Sequence, residues 1–307
     1  MLVEPPDLLA ALRLPATATV ECEPLGAAAW SAERVSIRVE GEPPRAVILR
    51  GSAEPAAAMN HLAVMEMLTR TGFASAPALL AIIGDIAVEE AVDGASALAL
   101  VPPPGAAEAA IGALAGLHGL PVKEGLGWES TPEELLPDEE VPLHRLGFAL
   151  REREAAREPF ERMRRDLLAA PFGFMHGAAG AGNILLGRGR AWLVDFGHAG
   201  FGCQLFDVAA FLLTSGLEAP ARRVLAMEYA RRRGADPDAI TALVDEAGIL
   251  WGISELLQLP RRQIQALGDD AASEAIQTAA SRIQRGLRAV AGDSEPAAAL
   301  REALWPE

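Results

Sequence analysis

An amide and a carboxylate near the middle of the chain have the types and the spacing needed to hold a metal ion. Asn183 and Asp195 are separated by two apolar runs that flank a turn rich in glycine and arginine. If that turn centres near Gly189, antiparallel pairing sets Leu186 opposite Trp192 and Asn183 opposite Asp195. Oxygen ligands that converge in this way suit Mg²⁺, which leaves its other positions to water and nucleotide phosphates. The spacing therefore predicts a magnesium site at the open end of a β-hairpin.

The same stretch resembles the aminoglycoside phosphotransferase and choline kinase family, relatives of the protein kinases, whose signature is roughly His-Gly-Asp-x-x-x-x-Asn followed by Asp-Phe-Gly. The matching positions are His176, Gly177, Asn183, Asp195, Phe196 and Gly197. The resemblance implies ATP and Mg²⁺ as cofactors, with Asn183 and Asp195 as metal ligands. It departs at Ala178, where the family carries the carboxylate that accepts the proton of the substrate hydroxyl. A nucleotide site without its catalytic base is therefore expected.

Histidines accompany this signature. By resemblance, residues 176–183 form the catalytic loop, and His176 is expected to shape this loop through hydrogen bonds to backbone groups. His198 directly follows the Asp-Phe-Gly run and is a candidate for a substitute base, with a solvent-facing loop imidazole as the alternative. His118, in a Leu-x-x-Leu-His pattern of the family, and Asp207, which opens a later helix, are expected to be structural.

The first part of the chain is expected to bind the phosphates. In kinases of this type a strand lysine contacts the α- and β-phosphates and pairs with a helix glutamate. Arg50 ends an apolar strand and is expected to take the lysine's place, since a guanidinium also binds phosphate oxygens. The position of the helix glutamate falls on His61, with Glu54 and Glu66 as alternatives if the register differs.

Two more positions are expected near the nucleotide by resemblance. Gly26 lies in a run of small residues where the family has its nucleotide-covering loop. Glu90 lies at the end of a strand that leads into Asp93 and Gly94, which resemble the hinge between the lobes.

Hydrophobic periodicity supports a division into strands followed by helices. Alternation predicts strands over 35–39 and 46–50, helical spacing predicts a helix over 56–70, and two more strands follow at 79–83 and 86–91. Later helices are predicted at 106–117, 143–170 with a break at Pro159, 205–213, 219–233, 237–259 and 261–290. Together with the resemblance, this predicts a two-lobed, protein-kinase-like α+β fold with a five-stranded antiparallel N-terminal sheet. Its expected parts are an N-lobe over 1–94, a connector over 95–104 and a helical C-lobe over 105–307.

Composition excludes several functional classes. The 307 residues carry a net charge of −15, which argues against nucleic acid and anionic membranes as partners. Lys123 is the only lysine and does not lie in a Walker A loop. Neither a bilayer-spanning apolar run nor a signal peptide is recognisable, and the two cysteines have no metal-type spacing, so we expect a cytoplasmic protein.

Arg50, His61 and Ala178 all depart from the family's charged pattern. Several departures together favour a pseudokinase-like protein that binds Mg-nucleotide and phosphorylates slowly or not at all. The alternative is an active ATP-dependent kinase that acts on a hydroxyl of an aminoglycoside, choline, a sugar or a similar metabolite, because phosphoryl transfer depends largely on positioning and charge neutralisation. A protein-interaction scaffold is a weaker alternative, since it gives Asn183 and Asp195 no reason to meet.

Overall fold

The computed structural model describes residues 2–25, 32–52, 54–122, 154–187, 189–265, 270–289 and 294–304. The expectation for Gly26 and the expected helix start at Leu143 lie outside these residues.

The N-terminal lobe is built on a five-stranded antiparallel sheet. In chain order its elements are α1 (Pro5–Ala11), β1 (Thr19–Leu25), β2 (Ala32–Arg38), β3 (Arg45–Arg50), α2 (Pro55–Thr71), β4 (Leu79–Ile83) and β5 (Ile86–Glu90). The spatial order is β1-β2-β3-β5-β4, and every neighbouring pair is antiparallel. The predicted α+β class and five-stranded sheet are confirmed.

Alternation along β3 divides the sheet into two faces. Val47 and Leu49 are buried in a cluster that includes Leu8 of α1. Since successive side chains of a strand point to opposite faces, Arg50 lies on the other face, which is the face away from α1. Ile48 of β3 pairs with Glu89 of β5, and this register sets Glu89 on the same face as Arg50.

Helix α2 connects the sheet to the rest of the protein. It begins with Pro55 in its first turn and ends at Gly72, whose φ of +67° is the left-handed conformation that glycine adopts readily at a helix end. Its buried face carries Met65 and Leu68, which pack into the main core of the C-terminal lobe. Two polar residues, Asn60 and His61, lie on that buried face and are only 3% and 2% exposed.

The C-terminal lobe is mainly helical and contains two small sheets. Its elements are β6 (Ala95–Ser96), α3 (Pro104–His118), α4 (Glu154–Leu168), β7 (Phe172–Met175), a 3₁₀ turn (Ala181–Asn183), β8 (Ile184–Gly187), β9 (Arg190–Leu193), β10 (Gly200–Cys203), α5 (Leu205–Thr214), α6 (Ala219–Arg233), α7 (Pro237–Gln265), α8 (Asp270–Arg288) and α9 (Glu295–Leu304). Strands β6, β8 and β9 form one sheet, while β7 and β10 form another. None of the described helices is both long and apolar enough to cross a membrane.

The register predicted for the central hairpin was wrong by one residue. Leu185, not Leu186, lies opposite Trp192, because Gly187 pairs with Arg190 and centres the turn before Gly189. Gly189 has a φ of +72°, so it occupies a turn position that favours glycine. As a result Asn183 lies next to Val194 and not directly opposite Asp195.

The helix break predicted at Pro159 and the helix end predicted at Leu259 were also wrong. Helix α4 continues through Pro159, and α7 continues past Pro260 to Gln265. A proline removes one backbone hydrogen bond, and in α4 the packing of the surrounding turns compensates for this loss. In α4 that packing comes from Phe160 and Met163, both buried in the main core.

Candidate active site

The hairpin formed by β8 and β9 brings Asn183 and Asp195 to the same end. The backbone N–H of Val194 donates to the carbonyl oxygen of Asn183 at 3.0 Å, and Asp195 follows directly. The Asn183 side chain donates its amide Nδ2 to the carbonyl oxygen of Ala178 at 3.0 Å. Because the amide nitrogen is used in this bond, the side-chain oxygen of Asn183 is the atom that remains for a cation.

The carboxylate of Asp195 has the properties of a metal ligand. Its Oδ1 atom is buried and has no hydrogen-bond partner among the described residues. A buried carboxylate oxygen without a donor or a cation is unfavourable by several kcal/mol. The backbone at Asp195 is left-handed, with a φ of +69°, which is uncommon for a residue with a side chain. A hard divalent cation fits this carboxylate and the amide oxygen of Asn183, since Mg²⁺ takes few protein ligands and keeps positions for phosphate.

The loop before Asn183 is held by the fully buried His176. Its Nε2–H donates to the carbonyl oxygen of Val194 at 3.1 Å, and the N–H of Ala178 donates to its Nδ1 at 3.3 Å. These two bonds assign a neutral imidazole with the proton on Nε2. Burial lowers the pKa of His176, although the carboxylates of Asp207 and Asp195 act in the opposite direction. His176 therefore contacts loop backbone on both sides and is neutral at physiological pH.

Asp207, at the start of α5, holds the same loop through its backbone N–H groups. Its two carboxylate oxygens accept the backbone N–H groups of His176 at 2.6 Å and Gly177 at 3.0 Å. The carboxylate also contacts Nε2 of His118 at 3.0 Å, and Nδ1 of His118 lies 2.8 Å from the hydroxyl of Tyr229. Burial raises the pKa of Tyr229, so its phenol stays protonated. The carboxylate thus ties the catalytic loop to α3 and, through His118, to α6.

We expect Asp207→Ala to destabilise the protein by about 3 to 5 kcal/mol, because it leaves buried N–H groups and His118 without their acceptor. Urea unfolding of the purified variant measures this change. Asp238→Ala is the matched control, since its side chain is 86% exposed in the first turn of α7. Equal losses in the two variants would show that the Asp207 network contributes little to stability.

The loop that carries Asp195 packs directly on the loop that carries Ala178. Gly177 has a φ of +75°, and a Cβ atom there would lie 2.0 Å from the carbonyl oxygen of His198. His198 is exposed, and its backbone lies beside the residue that precedes Ala178. The other end of the catalytic loop is fixed by the Thr214 hydroxyl, which accepts the N–H of Ala181 at 2.7 Å.

A second buried network lies between the sheet and α2. Arg50 Nε donates to Oε1 of Glu89 at 3.2 Å, and His61 Nε2 lies 2.6 Å from the same oxygen. Glu89 is 1% exposed and Arg50 is 13% exposed. Burial on its own raises the pKa of Glu89, but Arg50 and His61 outweigh it and hold that pKa below its ordinary value. The network therefore contains an ionised carboxylate that is paired with a guanidinium.

Sequence and fold comparisons assign this arrangement to a family. The sequence pattern of the phosphotransferase enzyme family matches residues 25–243, which is more than half of the chain. The chain belongs to this family. No curated protein matches the sequence of this phosphotransferase.

Solved structures share its fold at low sequence identity. A choline/ethanolamine kinase family protein from Mesorhizobium loti is 19% identical with a TM-score of 0.58, over 98% of this chain and 99% of that chain. An ethanolamine kinase from Plasmodium vivax is 14% identical with a TM-score of 0.61, over 92% and 85% of the two chains. A macrolide 2′-phosphotransferase from Brachybacterium faecium is 19% identical with a TM-score of 0.55, over 86% and 92%. These similarities confirm the kinase-like fold.

The remaining predicted residues of the phosphotransferase lie outside the two networks. Glu66 pairs with Arg70 at 2.7 Å on an exposed face of α2, and Glu54 lies before the helix. Glu90 is exposed, and its backbone N–H donates to the carbonyl oxygen of Ala78 at 2.9 Å. Among His61, Glu54 and Glu66, His61 is therefore the one that contacts the sheet network.

Sequence reasoning missed Glu89 and did not assign a role to Asn60. The amide Nδ2 of Asn60 lies 3.0 Å from the carbonyl oxygen of Gly197 and 2.7 Å from that of Ala199. A detectable signal was present, since Asn60 falls on the apolar face of α2, where a polar side chain requires a buried partner. Glu89 gave no comparable signal, because its burial follows from the register between β3 and β5.

Proposed function

We propose that this phosphotransferase binds Mg-nucleotide and that its catalytic step is impaired. The observation that carries the proposal is the buried Oδ1 of Asp195, which has no hydrogen-bond partner among the described residues and lies on the loop beside Asn183. Mg²⁺ bound by these two residues would neutralise phosphate charge and orient the nucleotide. Because ATP is the expected nucleotide, we also propose a cytoplasmic site of action.

The impairment follows from the side chain at position 178. An alanine methyl group neither accepts a proton nor orients a hydroxyl, so the acceptor lacks general-base assistance from this position. The backbone of Ala178 remains fixed, because its N–H donates to His176 and its carbonyl oxygen accepts from Asn183. The catalytic loop thus keeps its form although the base is absent.

The second candidate is an active kinase for a small hydroxyl compound. The position of His198 favours this candidate. His198 is exposed, and its backbone lies beside Gly177, the residue before Ala178. Positioning and charge neutralisation supply most of the rate enhancement in phosphoryl transfer, so slow turnover without a carboxylate base is physically feasible.

Release of ADP from ATP separates the two candidates. The panel of acceptors consists of aminoglycosides, choline, sugars and amino sugars, each with Mg²⁺. The impaired protein binds Mg-ATP by calorimetry but releases ADP no faster with any acceptor than without one. Faster release of ADP in the presence of an acceptor would establish the active kinase instead. Absence of Mg-ATP binding would contradict both candidate functions.

We expect Arg50→Ala to weaken Mg-ATP binding by about tenfold or more, because the hydrogen bonds of a charged donor to phosphate contribute roughly 1.5 to 3 kcal/mol each. Only Nε of Arg50 is hydrogen-bonded within the described part of the chain, which leaves its two terminal nitrogens for phosphate oxygens. Arg50→Lys should lose less, since it keeps the charge.

Arg45→Ala is the matched control for Arg50→Ala. It removes the same charge from the opposite end of β3, where the arginine is exposed. Calorimetric titration of folded variants measures the affinities. Equal nucleotide affinity in wild type and Arg50→Ala would show that the guanidinium does not contact phosphate.

A further inference from the structure

The network of Arg50, Glu89 and His61 ends on the backbone of the loop that carries Asp195. The N–H of Phe196 donates to Nδ1 of His61 at 3.1 Å, and Phe196 directly follows Asp195. His61 is 2% exposed and Glu89 is 1% exposed, so water does not replace these bonds. One continuous chain of contacts therefore runs from the expected phosphate-binding arginine to the residue beside the expected metal ligand.

Hydrogen-bond chemistry fixes the direction of this chain. Because the backbone of Phe196 is a donor, Nδ1 of His61 must be the acceptor, and the imidazole proton lies on Nε2. Nε2–H then donates to Oε1 of Glu89, and the same oxygen accepts Nε–H of Arg50. Each side chain thus orients the next: rotation of Glu89 or His61 breaks two contacts, and rotation of Arg50 breaks one.

Asn60 makes the end of this chain rigid. Its side-chain amide lies within 3.4 Å of three carbonyl oxygens, those of Phe196, Gly197 and Ala199. Two adjacent residues of α2 therefore hold one loop through different backbone groups. His61 accepts a hydrogen bond from an N–H group, and Asn60 donates hydrogen bonds to carbonyl oxygens. Movement of α2 would therefore act on the backbone of residues 196–199, which directly follows Asp195.

We propose that His61 is a positioning residue that couples phosphate binding at Arg50 to metal binding at Asp195. This inference rests on the proposed function, because it presupposes a Mg-nucleotide site. One nitrogen of Arg50 is bonded to Glu89, and its two terminal nitrogens have no hydrogen bond among the described residues. Phosphate bound by those two nitrogens would therefore bias the orientation of Glu89 and His61. His61 in turn holds the peptide that follows Asp195. By linkage, Mg²⁺ strengthens nucleotide binding by the same factor by which nucleotide strengthens Mg²⁺ binding.

A purely structural role for His61 makes a different prediction. If the imidazole only satisfies buried groups, its loss lowers the free energy of unfolding and leaves the ratio of ATP affinities with and without Mg²⁺ unchanged. If it couples the two sites, that ratio falls. The ratio is therefore the informative measurement, and stability alone is not.

The experiment compares His61→Leu with His61→Gln by calorimetric titration of ATP in Mg²⁺ and in EDTA. Leucine removes both the acceptor and the donor, whereas the glutamine amide offers an acceptor oxygen and an N–H donor in place of the two ring nitrogens. We expect His61→Leu to reduce the Mg²⁺-dependent gain in ATP affinity by about tenfold, within the usual range of coupling energies, and His61→Gln to restore part of it.

The outcomes separate this inference from the proposed function. If the wild type shows no Mg²⁺-dependent ATP binding, both are overturned. If the wild type shows it and His61→Leu keeps the full gain, only the coupling role is overturned. Should His61→Leu not fold, Glu89→Gln carries the test, since it weakens the link to Arg50 without removing the side chain, and the same reduction is expected.

Discussion

Asp195→Ala should make nucleotide binding indifferent to Mg²⁺ and weaken Mg-ATP binding by about 100-fold or more. Loss of groups that merely orient metal ligands reduces metal affinity by roughly 10- to 100-fold, so loss of a ligand carboxylate should exceed this. The carboxylate already lies in the folded protein with a buried Oδ1 that has no donor in the described chain. Calorimetric titration of ATP with Mg²⁺ and with EDTA measures both effects.

The same variant should be no less stable than the wild type when metal is absent. An unpaired buried carboxylate oxygen opposes folding, so its removal offsets the lost contacts of the side chain. Asp85→Ala is the matched control, because it removes an equal charge from the exposed turn between β4 and β5. Nucleotide affinity that still depends on Mg²⁺ in Asp195→Ala would place the metal elsewhere.

Ala178→Asp should raise phosphotransfer by about 10² to 10⁴, the usual contribution of general-base catalysis. The new carboxylate would stand on a loop whose backbone is already held by His176, Asn183 and Asp207. The loop backbone therefore orients the new carboxylate without having to change its conformation. Rates of ADP release with the acceptor panel measure the gain.

Ala178→Asn is the control for shape, since it has the same size as the aspartate variant but no basic oxygen of comparable strength. A higher rate of ADP release in Ala178→Asp but not in Ala178→Asn would assign the effect to proton transfer. If neither variant gains activity with any acceptor, the missing base is not the only obstacle, and the acceptor pocket also differs from that of active relatives.

Much of the fold follows from local patterns. The alternation in β3, the helical spacing of α2 and the glycine at its end predict those elements nearly residue by residue, since each depends on nearby sequence. Short strands such as β6 and β7 were not predicted, because two to four residues have too little periodicity and form strands only by pairing with distant partners.

The candidate site shows the same division between local and distant determinants. The residues of the signature are found by type and spacing. Glu89 is not found in this way, because its burial depends on how β3 and β5 align. Tyr229 is not found either, because it contacts His118 from a helix more than one hundred residues later in the chain. The predicted register of the β8–β9 hairpin was wrong because the turn was placed one residue too late along one strand.

The catalytic loop keeps its form through groups that do not belong to residue 178. Its N–H bonds reach Asp207 and Thr214, and the amide of Asn183 reaches a backbone carbonyl, so the side chain at 178 contributes nothing to these contacts. Two of the four alanine codons differ from an aspartate codon by a single nucleotide. The base at this position is therefore separable from folding: a substitution that removes or supplies it leaves the hydrogen bonds that hold the loop unchanged.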